Sequence, residues 1–201
     1  MKLLIKNGRV IDPESQTDEI LDILIDKNKI ADIKTKISAP SVKIIDAAEL
    51  VVAPGFIDMH VHLREPGQEH KETIRTGSAA AARGGFTSIA CMPNTFPVID
   101  NSGTIKYVLS EAKKTGMVNI FPIAAITKGQ KGKELSEMAE LIDSGAVAFS
   151  DDGNPVSNSK VKRSALEYIK QFDGVIISHC ENTELSSNGV MNEGPYSGQL
   201  G

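Results

Sequence analysis

Two histidines one residue apart, His60 and His62, are the side chains best suited to chemistry, and Arg64 follows at the same spacing. They end an apolar stretch that is predicted to be a strand, where side chains at i and i+2 point to the same side. We therefore expect all three to project together. Two neutral imidazoles on rigid backbone can bind a metal ion, and Zn²⁺ accepts nitrogen and carboxylate oxygen. Alone, a His-x-His pair is more often an ordinary part of a strand.

Polar side chains also follow the other apolar strands that the sequence predicts after Pro54. Asn94 follows the second strand, Asp151 and Asp152 follow the fourth, and His179 ends the fifth. Each has a simple explanation alone, because Asp-Asp-Gly is a common turn and a single histidine is usually a hydrogen-bonded core residue. In a barrel the carboxyl ends of the strands form one site, so the joint occurrence favours a metal centre. Strand alternation does not decide whether Asp151 or Asp152 faces inward.

Alternating strands and helices would position these groups. The pattern predicts strands at residues 56–63, 87–92, 118–126, 146–150 and 175–179, and helices at 72–83, 102–114 (with Ser102 as N-cap), 135–144 and 159–171. Such alternation is typical of βα units in a parallel sheet, which the right-handed crossover arranges as a barrel or a doubly wound sheet. Residues 188–201 contain four glycines and no apolar period, and we expect a loop there.

The first 53 residues have a different pattern, typical of short strands. Asn7-Gly8 predicts one hairpin turn, and residues 26–29 predict a second. Such a thin β layer needs to pack against something else to be stable. We therefore expect a small β domain at residues 1–53 and a barrel domain at 54–201.

Composition excludes several classes of protein. The 201 residues carry a formal net charge of −4, so no broad basic field favours nucleic acid or an anionic membrane. No apolar run approaches the roughly 18 residues of a membrane span. Cys91 and Cys180 lie in apolar, strand-like runs, which predicts buried, reduced thiols and a cytoplasmic location.

Four segments in this order resemble type I dihydroorotases of the amidohydrolase superfamily. They are His60-Val61-His62-Leu63-Arg64-Glu65-Pro66-Gly67, Met92-Pro93-Asn94-Thr95, Ser150-Asp151-Asp152-Gly153 and His179-Cys180-Glu181. The resemblance implies an α/β fold, a (β/α)₈ TIM-type barrel with a small β-sandwich built from both chain ends. It also implies a zinc-dependent hydrolase of cyclic amides, which interconverts N-carbamoyl-L-aspartate and L-dihydroorotate in de novo pyrimidine (UMP) biosynthesis.

The resemblance also implies a metal-ligand set. His60 and His62 would bind a first zinc ion, Asp152 would bridge two metals, and His179 would bind the second. Asp152 is chosen over Asp151 because the resembling enzymes use the second acid of this pair.

Arg64 and Asn94 would hold the substrate carboxylate, by the same resemblance. An arginine suits this role because its planar fork matches a carboxylate in two hydrogen bonds. From the residues alone, Arg64 could instead pair with Glu65 or Glu69.

Only about five βα units are visible, whereas a barrel of this kind needs about 250 residues. The resembling enzymes take another metal-binding histidine from the sixth strand and a proton-shuttle aspartate from the eighth. We therefore assign the function to the complete protein and expect these 201 residues alone to be inactive.

Two alternatives remain open. Hydantoinases, dihydropyrimidinases and allantoinases bridge their metals with a carboxylated lysine on the fourth strand, and residues 146–152 contain no lysine. A non-catalytic partner of aspartate carbamoyltransferase would be expected to have lost its metal ligands, whereas His60, His62, Asp152 and His179 are all present. A homodimer and an association with aspartate carbamoyltransferase are both compatible with the resemblance.

Overall fold

The computed structural model describes residues 2–186 and 189–200. The chain divides into two compact units, Met1–Gly55 and Phe56–Gly201. The first is a mixed β-sheet, and the second is a parallel sheet with helices between its strands. The predicted α/β fold with about five βα units is therefore confirmed.

The first unit is one five-stranded sheet. Its strands are β1 (Lys2–Asp12), β2 (Thr17–Asp26), β3 (Lys29–Lys34), β4 (Lys43–Asp46) and β5 (Val51–Val52). The order is β3-β2-β1-β4, and β5 also pairs with β1. β1 is antiparallel to β2 and parallel to β4 and β5.

The hairpin predicted at Asn7-Gly8 is wrong, because β1 continues through both residues. The pairing of β1 with β2 shifts register between Ile5 and Gly8, which marks a β-bulge. Asn7 has a φ of 63°. Asparagine adopts positive φ more readily than most residues, and here that conformation occurs in a bulge instead of a turn. The hairpin predicted at residues 26–29 is confirmed by the antiparallel pairing of β2 with β3.

A buried carboxylate, Asp22, holds the bulge in place. Its side chain accepts hydrogen bonds from the backbone N–H groups of Asn7 and Ile37, each at 2.9 Å. Burial raises the pKa of Asp22, but the hydrogen bonds from Ile37 and Asn7 and the charges of Lys6 and Lys36 outweigh it and leave the pKa below its usual value. The ionised carboxylate is therefore a structural part of this unit.

The second unit has a five-stranded parallel sheet in the order β10-β9-β8-β7-β6. The strands are β6 (Phe56–Val61), β7 (Phe86–Cys91), β8 (Asn119–Ala124), β9 (Ala148–Ser150) and β10 (Ile176–Ile177). The helices are α1 (Ile74–Arg83), α2 (Ser102–Thr115), α3 (Met138–Asp143), α4 (Ser159–Ile169), α5 (Thr183–Ser186) and α6 (Pro195–Leu200), with 3₁₀ turns at Lys128–Gln130 and Lys170–Phe172. The bounds of the strands and long helices agree with the predicted ranges, except that β7 starts one residue early, at Phe86, and α2 ends one residue late, at Thr115.

Local sequence explains where the helices begin. Thr73 caps α1 by accepting from the N–H of Thr76, and the alanine-rich body that follows favours a helix. The N-cap of α2 is Asn101, whose Oδ1 accepts from Thr104 N at 3.1 Å. Ser102 is the first residue inside α2, so its predicted role as N-cap is wrong.

Apolar side chains fill both faces of this sheet. The larger cluster joins strands to helices through residues such as Ile89, Ile105, Leu141 and Phe149. The smaller one contains Ile123 and Ala148, whose strand neighbours belong to the larger cluster, and Met92, which directly follows β7. It therefore lies on the opposite face. Among the described residues, no helix has the length and apolar character that crossing a bilayer requires.

Two further expectations need correction. Cys91 is buried, which raises the pKa of its thiol to about 12, but Cys180 is exposed; both thiols are free. The expected loop at 188–201 contains helix α6, which starts at Pro195, a residue favoured at the first helical position. Asn188 and Gly201 lie outside the described residues.

Candidate metal centre

The two histidines of the His-x-His pair lie at the carboxyl end of β6. His60 is in the strand, and His62 lies just beyond its last residue, Val61. The ring centroids are 5.2 Å apart, with the ring planes at 69°. A hydrogen bond from Met92 N to Val61 O (2.9 Å) fixes this strand end to the end of β7. Both imidazoles are therefore carried by backbone that the sheet holds in place.

Asp152 follows β9 and faces three imidazoles. Its side chain is only 7% exposed. Oδ1 lies 3.4 Å from His60 Nε2 and 3.4 Å from His179 Nδ1, and Oδ2 lies 3.6 Å from His62 Nε2. These separations exceed the 2.7–3.2 Å that is usual for a hydrogen bond. The carboxylate and the imidazoles therefore surround a common space but do not hydrogen-bond directly to each other.

The donor set fits a divalent metal ion. Among the described residues, the ligand atoms of His60, His62 and Asp152 all lie within 4.8 Å of one another. Imidazole nitrogen with carboxylate oxygen is a combination that zinc and related metals accept. His179 is outside this group of three but is near the same carboxylate oxygen as His60.

Asn94, from the loop after β7, joins two members of the cluster. Its Oδ1 lies 3.0 Å from His62 Nδ1, and its Nδ2 donates to Asp152 Oδ2 at 3.2 Å. Because Nδ2 donates to Asp152, Oδ1 accepts from His62 Nδ1, and Nε2, 3.6 Å from Asp152, is the nitrogen available to a metal. Such a partner commonly orients a metal-binding histidine. Gln130, a residue that the sequence did not single out, donates to the Asp152 carbonyl oxygen at 3.3 Å.

His179 has its own carboxylate partner, Glu181. His179 Nε2 lies 2.9 Å from Glu181 Oε2, and Ser186 Oγ donates to Glu181 Oε1 at 2.6 Å. The hydrogen bonds from Ser186 and His179 lower the pKa of Glu181. The sequence did not indicate that Glu181 would contact His179. The spacing His-x-Glu was the signal that could have suggested this contact.

Asp151 faces the other way and makes structural contacts. It accepts from Ile126 N (2.8 Å), Thr127 N (3.1 Å) and Thr127 Oγ1. Burial raises the pKa of Asp151, although the hydrogen bonds from Thr127 and Ile126 oppose the shift. Of the two acids that strand alternation left open, Asp152 is therefore the one beside the imidazoles.

Arg64 does not continue the row formed by the two histidines. The strand ends at Val61, and Arg64 has a φ of 60° in the following loop, where it is half-buried. The neighbouring acids already have partners. Glu65 accepts from Ile74 N and Tyr107 Oη, while Glu69 accepts from Gly67 N.

A family model described as dihydro-orotase-like matches residues 49–201. The chain belongs to this family. It is 54% identical over 202 residues to a dihydroorotase from Geobacter metallireducens, covering 100% of this chain and 48% of that protein. It is 52% identical over 201 residues to a dihydroorotase from Ruminiclostridium cellulolyticum, covering 100% and 47%. The resemblance inferred from the four motifs is therefore confirmed.

The dihydro-orotase-like chain spans about half the length of the curated relatives it matches. Among solved structures, it is similar to the L-hydantoinase (dihydropyrimidinase) from Arthrobacter aurescens, with a TM-score of 0.75 and 24% identity. The match covers 94% of this chain and 44% of that one, and at this identity it shows the fold alone. Membership of the dihydro-orotase-like family implies a metal, and the cluster of His60, His62 and Asp152 fits one.

Proposed function

We propose that the complete protein is a dihydroorotase. It interconverts N-carbamoyl-L-aspartate and L-dihydroorotate by making and breaking a cyclic amide, in de novo pyrimidine (UMP) biosynthesis. The observation that carries the proposal is the convergence of His60, His62 and Asp152 at one strand end in a chain of the dihydro-orotase-like family.

The metal in this proposal is zinc, with one or two ions per complete subunit. His60 and His62 would hold the first ion, His179 would hold the second, and Asp152 would be a ligand shared by both. Zinc supplies Lewis-acid chemistry at the amide carbonyl and lowers the pKa of water. Asn94 keeps His62 in the tautomer that has a free Nε2, and the deep burial of Asp152 excludes bulk water from one side of the cluster.

Substrate binding falls to side chains of the loops around this cluster. The Arg64 guanidinium would receive the substrate carboxylate in two hydrogen bonds, since a planar fork matches a planar carboxylate. Asn94 lies close enough to the cluster to share this contact, because its amide already bridges His62 and Asp152. Proton transfer to the leaving amide nitrogen needs a further acid, which we assign to the part of the relatives that this chain does not span.

The cellular location and the assembly of the enzyme are proposed from the same family resemblance. We place it in the cytoplasm, as a homodimer that associates with aspartate carbamoyltransferase. Light scattering of the purified protein tests the dimer, and co-sedimentation with purified aspartate carbamoyltransferase tests the association. Fractionation of the source cells tests the location.

The deciding experiment measures zinc content and ring opening of L-dihydroorotate by the complete protein. The His60→Ala variant should lose zinc at its site and nearly all turnover. The matched control is His70→Ala, since His70 is exposed in the loop beyond Arg64. It should keep both zinc and turnover.

Hydantoin and allantoin provide the substrate control and should be turned over at least 100-fold more slowly. Preferred turnover of either compound, or a His60→Ala variant with unchanged zinc content and rate, would contradict the proposal.

A further inference from the structure

Residues 64–68, which follow β6, form a loop that begins with Arg64, and we call it the Arg64 loop. Its second residue, Glu65, contacts two helices. Oε2 accepts from Ile74 N, the first N–H of α1, at 2.8 Å, and Oε1 accepts from Tyr107 Oη on α2 at 3.0 Å. Each carboxylate oxygen thus has its own donor, and the two donors belong to different elements.

Both donors suit an ionised carboxylate. The first N–H of a helix has no partner within the helix, and the positive end of the helix dipole favours a negative charge there. A tyrosine hydroxyl is protonated at neutral pH and can donate, and burial and the hydrogen bond to Glu65 raise the pKa of Tyr107 further, to about 12. Glu65 is therefore fixed at two points.

The backbone of the Arg64 loop is held in a conformation that needs support. The φ of 60° at Arg64 lies in the left-handed region, which costs a residue with a side chain about 1 kcal/mol or more and persists only where surrounding contacts offset that cost. The surroundings here are two short-range hydrogen bonds, from Glu65 N to Leu63 O (2.7 Å) and from Gln68 N to Arg64 O (3.0 Å). The adjacent Glu65 carboxylate then anchors this turn to the helices.

The Arg64 loop also fixes the loop that carries Asn94. Phe96 N donates to Pro66 O at 3.0 Å, and Gln68 Nε2 donates to Asn94 O at 3.3 Å. Gly67 lies so close that an added Cβ would be 1.8 Å from the Phe96 carbonyl oxygen. A displacement of one loop would therefore reach both side chains to which the substrate carboxylate is assigned.

We propose that Glu65 is a positioning residue for substrate binding: by bridging the start of α1 to Tyr107, it sets the backbone conformation from which Arg64 receives the substrate carboxylate. This inference rests on the proposed function, because it requires that Arg64 binds that carboxylate. In this role Glu65 acts through Arg64 and not by direct contact with substrate or metal.

The test is a double-mutant cycle in the complete, zinc-loaded protein, with KM and kcat measured for N-carbamoyl-L-aspartate. Glu65→Gln keeps the shape but turns an amide N–H toward one of the two donors. We expect it to raise KM about 10-fold, within the range of couplings between residues that share contacts. Its kcat should stay within about twofold and its zinc content should not change. In an Arg64→Ala background, Glu65→Gln should change KM by less than about twofold.

Two further variants separate positioning from general destabilisation. Tyr107→Phe removes one donor to Glu65 and should raise KM in the same direction by a smaller factor, again only when Arg64 is present. Glu167→Gln is the control, since Glu167 is on α4 and accepts a hydrogen bond from Arg163 Nε at 2.8 Å. It should leave KM unchanged. If Glu65→Gln lowers the yield of folded protein, the Tyr107→Phe cycle gives the same comparison.

The outcomes distinguish this inference from the proposal beneath it. A KM for Arg64→Ala equal to that of the wild type would overturn the binding role of Arg64 and the inference with it. A raised KM for Arg64→Ala, combined with Glu65→Gln effects of equal size in both backgrounds, would overturn the inference alone. A rise in KM for Glu65→Gln that disappears without Arg64 supports it.

Discussion

Two buried carboxylates, Asp22 in the first unit and Asp152 in the second, have opposite surroundings. They are similarly buried, with 2% and 5% of each residue exposed. Asp22 accepts from two backbone N–H groups at 2.9 Å each. Asp152 accepts one side-chain hydrogen bond, from Asn94, and otherwise faces imidazole nitrogens at 3.4–3.6 Å.

The difference shows what separates a structural carboxylate from a ligand. A buried charge is costly unless it is paired or coordinates a metal. Two backbone N–H groups and the charges of Lys6 and Lys36 stabilise the ionised form of Asp22. Within the described part of the chain, Asp152 has no backbone donor of this kind, and the 3.4–3.6 Å separations from the imidazole nitrogens leave room for a cation among the ligand atoms. Asp151 has the Asp22 type of surroundings, although it is next to Asp152 in the chain.

The largest effect that we expect on either of these two carboxylates is that of Asp152→Asn on zinc binding. We expect zinc affinity to fall at least about 100-fold, since removing a ligand should cost no less than the 10–100-fold typical of residues that merely support ligands. Because no structural hydrogen bond from the backbone is lost, the thermal midpoint of the zinc-free protein should change by only a few degrees. Zinc titration calorimetry and circular dichroism measure the two quantities.

Asp22→Asn is the matched control for this variant and should bind zinc like the wild type. Equal zinc affinities for Asp152→Asn and the wild type would remove the distinction between the two carboxylates.

Asn94→Ala sharpens the comparison by removing a support of the ligands instead of a ligand. Without the amide, His62 can adopt either tautomer and Asp152 loses its one side-chain donor. Zinc affinity should fall about 10–100-fold. Asn101→Ala is the control: it removes the cap of α2 and about 1 kcal/mol of stability, but no contact of the cluster. A larger loss of zinc in Asn101→Ala than in Asn94→Ala would contradict this assignment.

The strand-end cluster was largely predictable because it depends on periodicity. Alternation placed His60 and His62 on one side, and the parallel βα pattern placed Asn94, Asp152 and His179 at the same edge. Alternation could not choose between the two acids, since β9 ends at Ser150 and both lie in the turn beyond it. That choice depends on a different loop, because the N–H groups of Ile126 and Thr127 donate to Asp151 and leave Asp152 beside the imidazoles.

The features that the sequence missed depend on contacts between distant segments. Glu65 meets Tyr107 across 42 residues of chain, and Gln130 meets Asp152 across 22. No local pattern encodes such pairs. The wrong hairpin at Asn7-Gly8 and the wrong N-cap at Ser102 have another cause, because a local residue preference can be met by more than one structure. Positive φ at Asn7 suits a bulge as well as a turn, and Asn101 caps a helix as well as Ser102 would.

The smallest expected effect is on the structural side of the comparison, in Asp22→Asn. An amide cannot accept at both of its positions, so one of the N–H groups of Asn7 and Ile37 loses its partner, at a cost of about 1–2 kcal/mol. Amide hydrogen exchange at Asn7 and Ile37 measures this loss locally. We expect faster exchange at whichever of these two N–H groups loses its partner, and unchanged exchange in β6–β10.

The pH dependence identifies the charge as the cause. The folded pKa of Asp22 lies below the unfolded value of about 3.9, so the ionised form favours the folded state. Its contribution is complete above about pH 5 and disappears as the pH falls through the folded pKa. The difference in protection between the wild type and Asp22→Asn should therefore be large at pH 6 and shrink toward pH 3. A difference that is independent of pH would mean that Asp22 acts through its shape alone, and the contrast with Asp152 would then not be one of charge compensation.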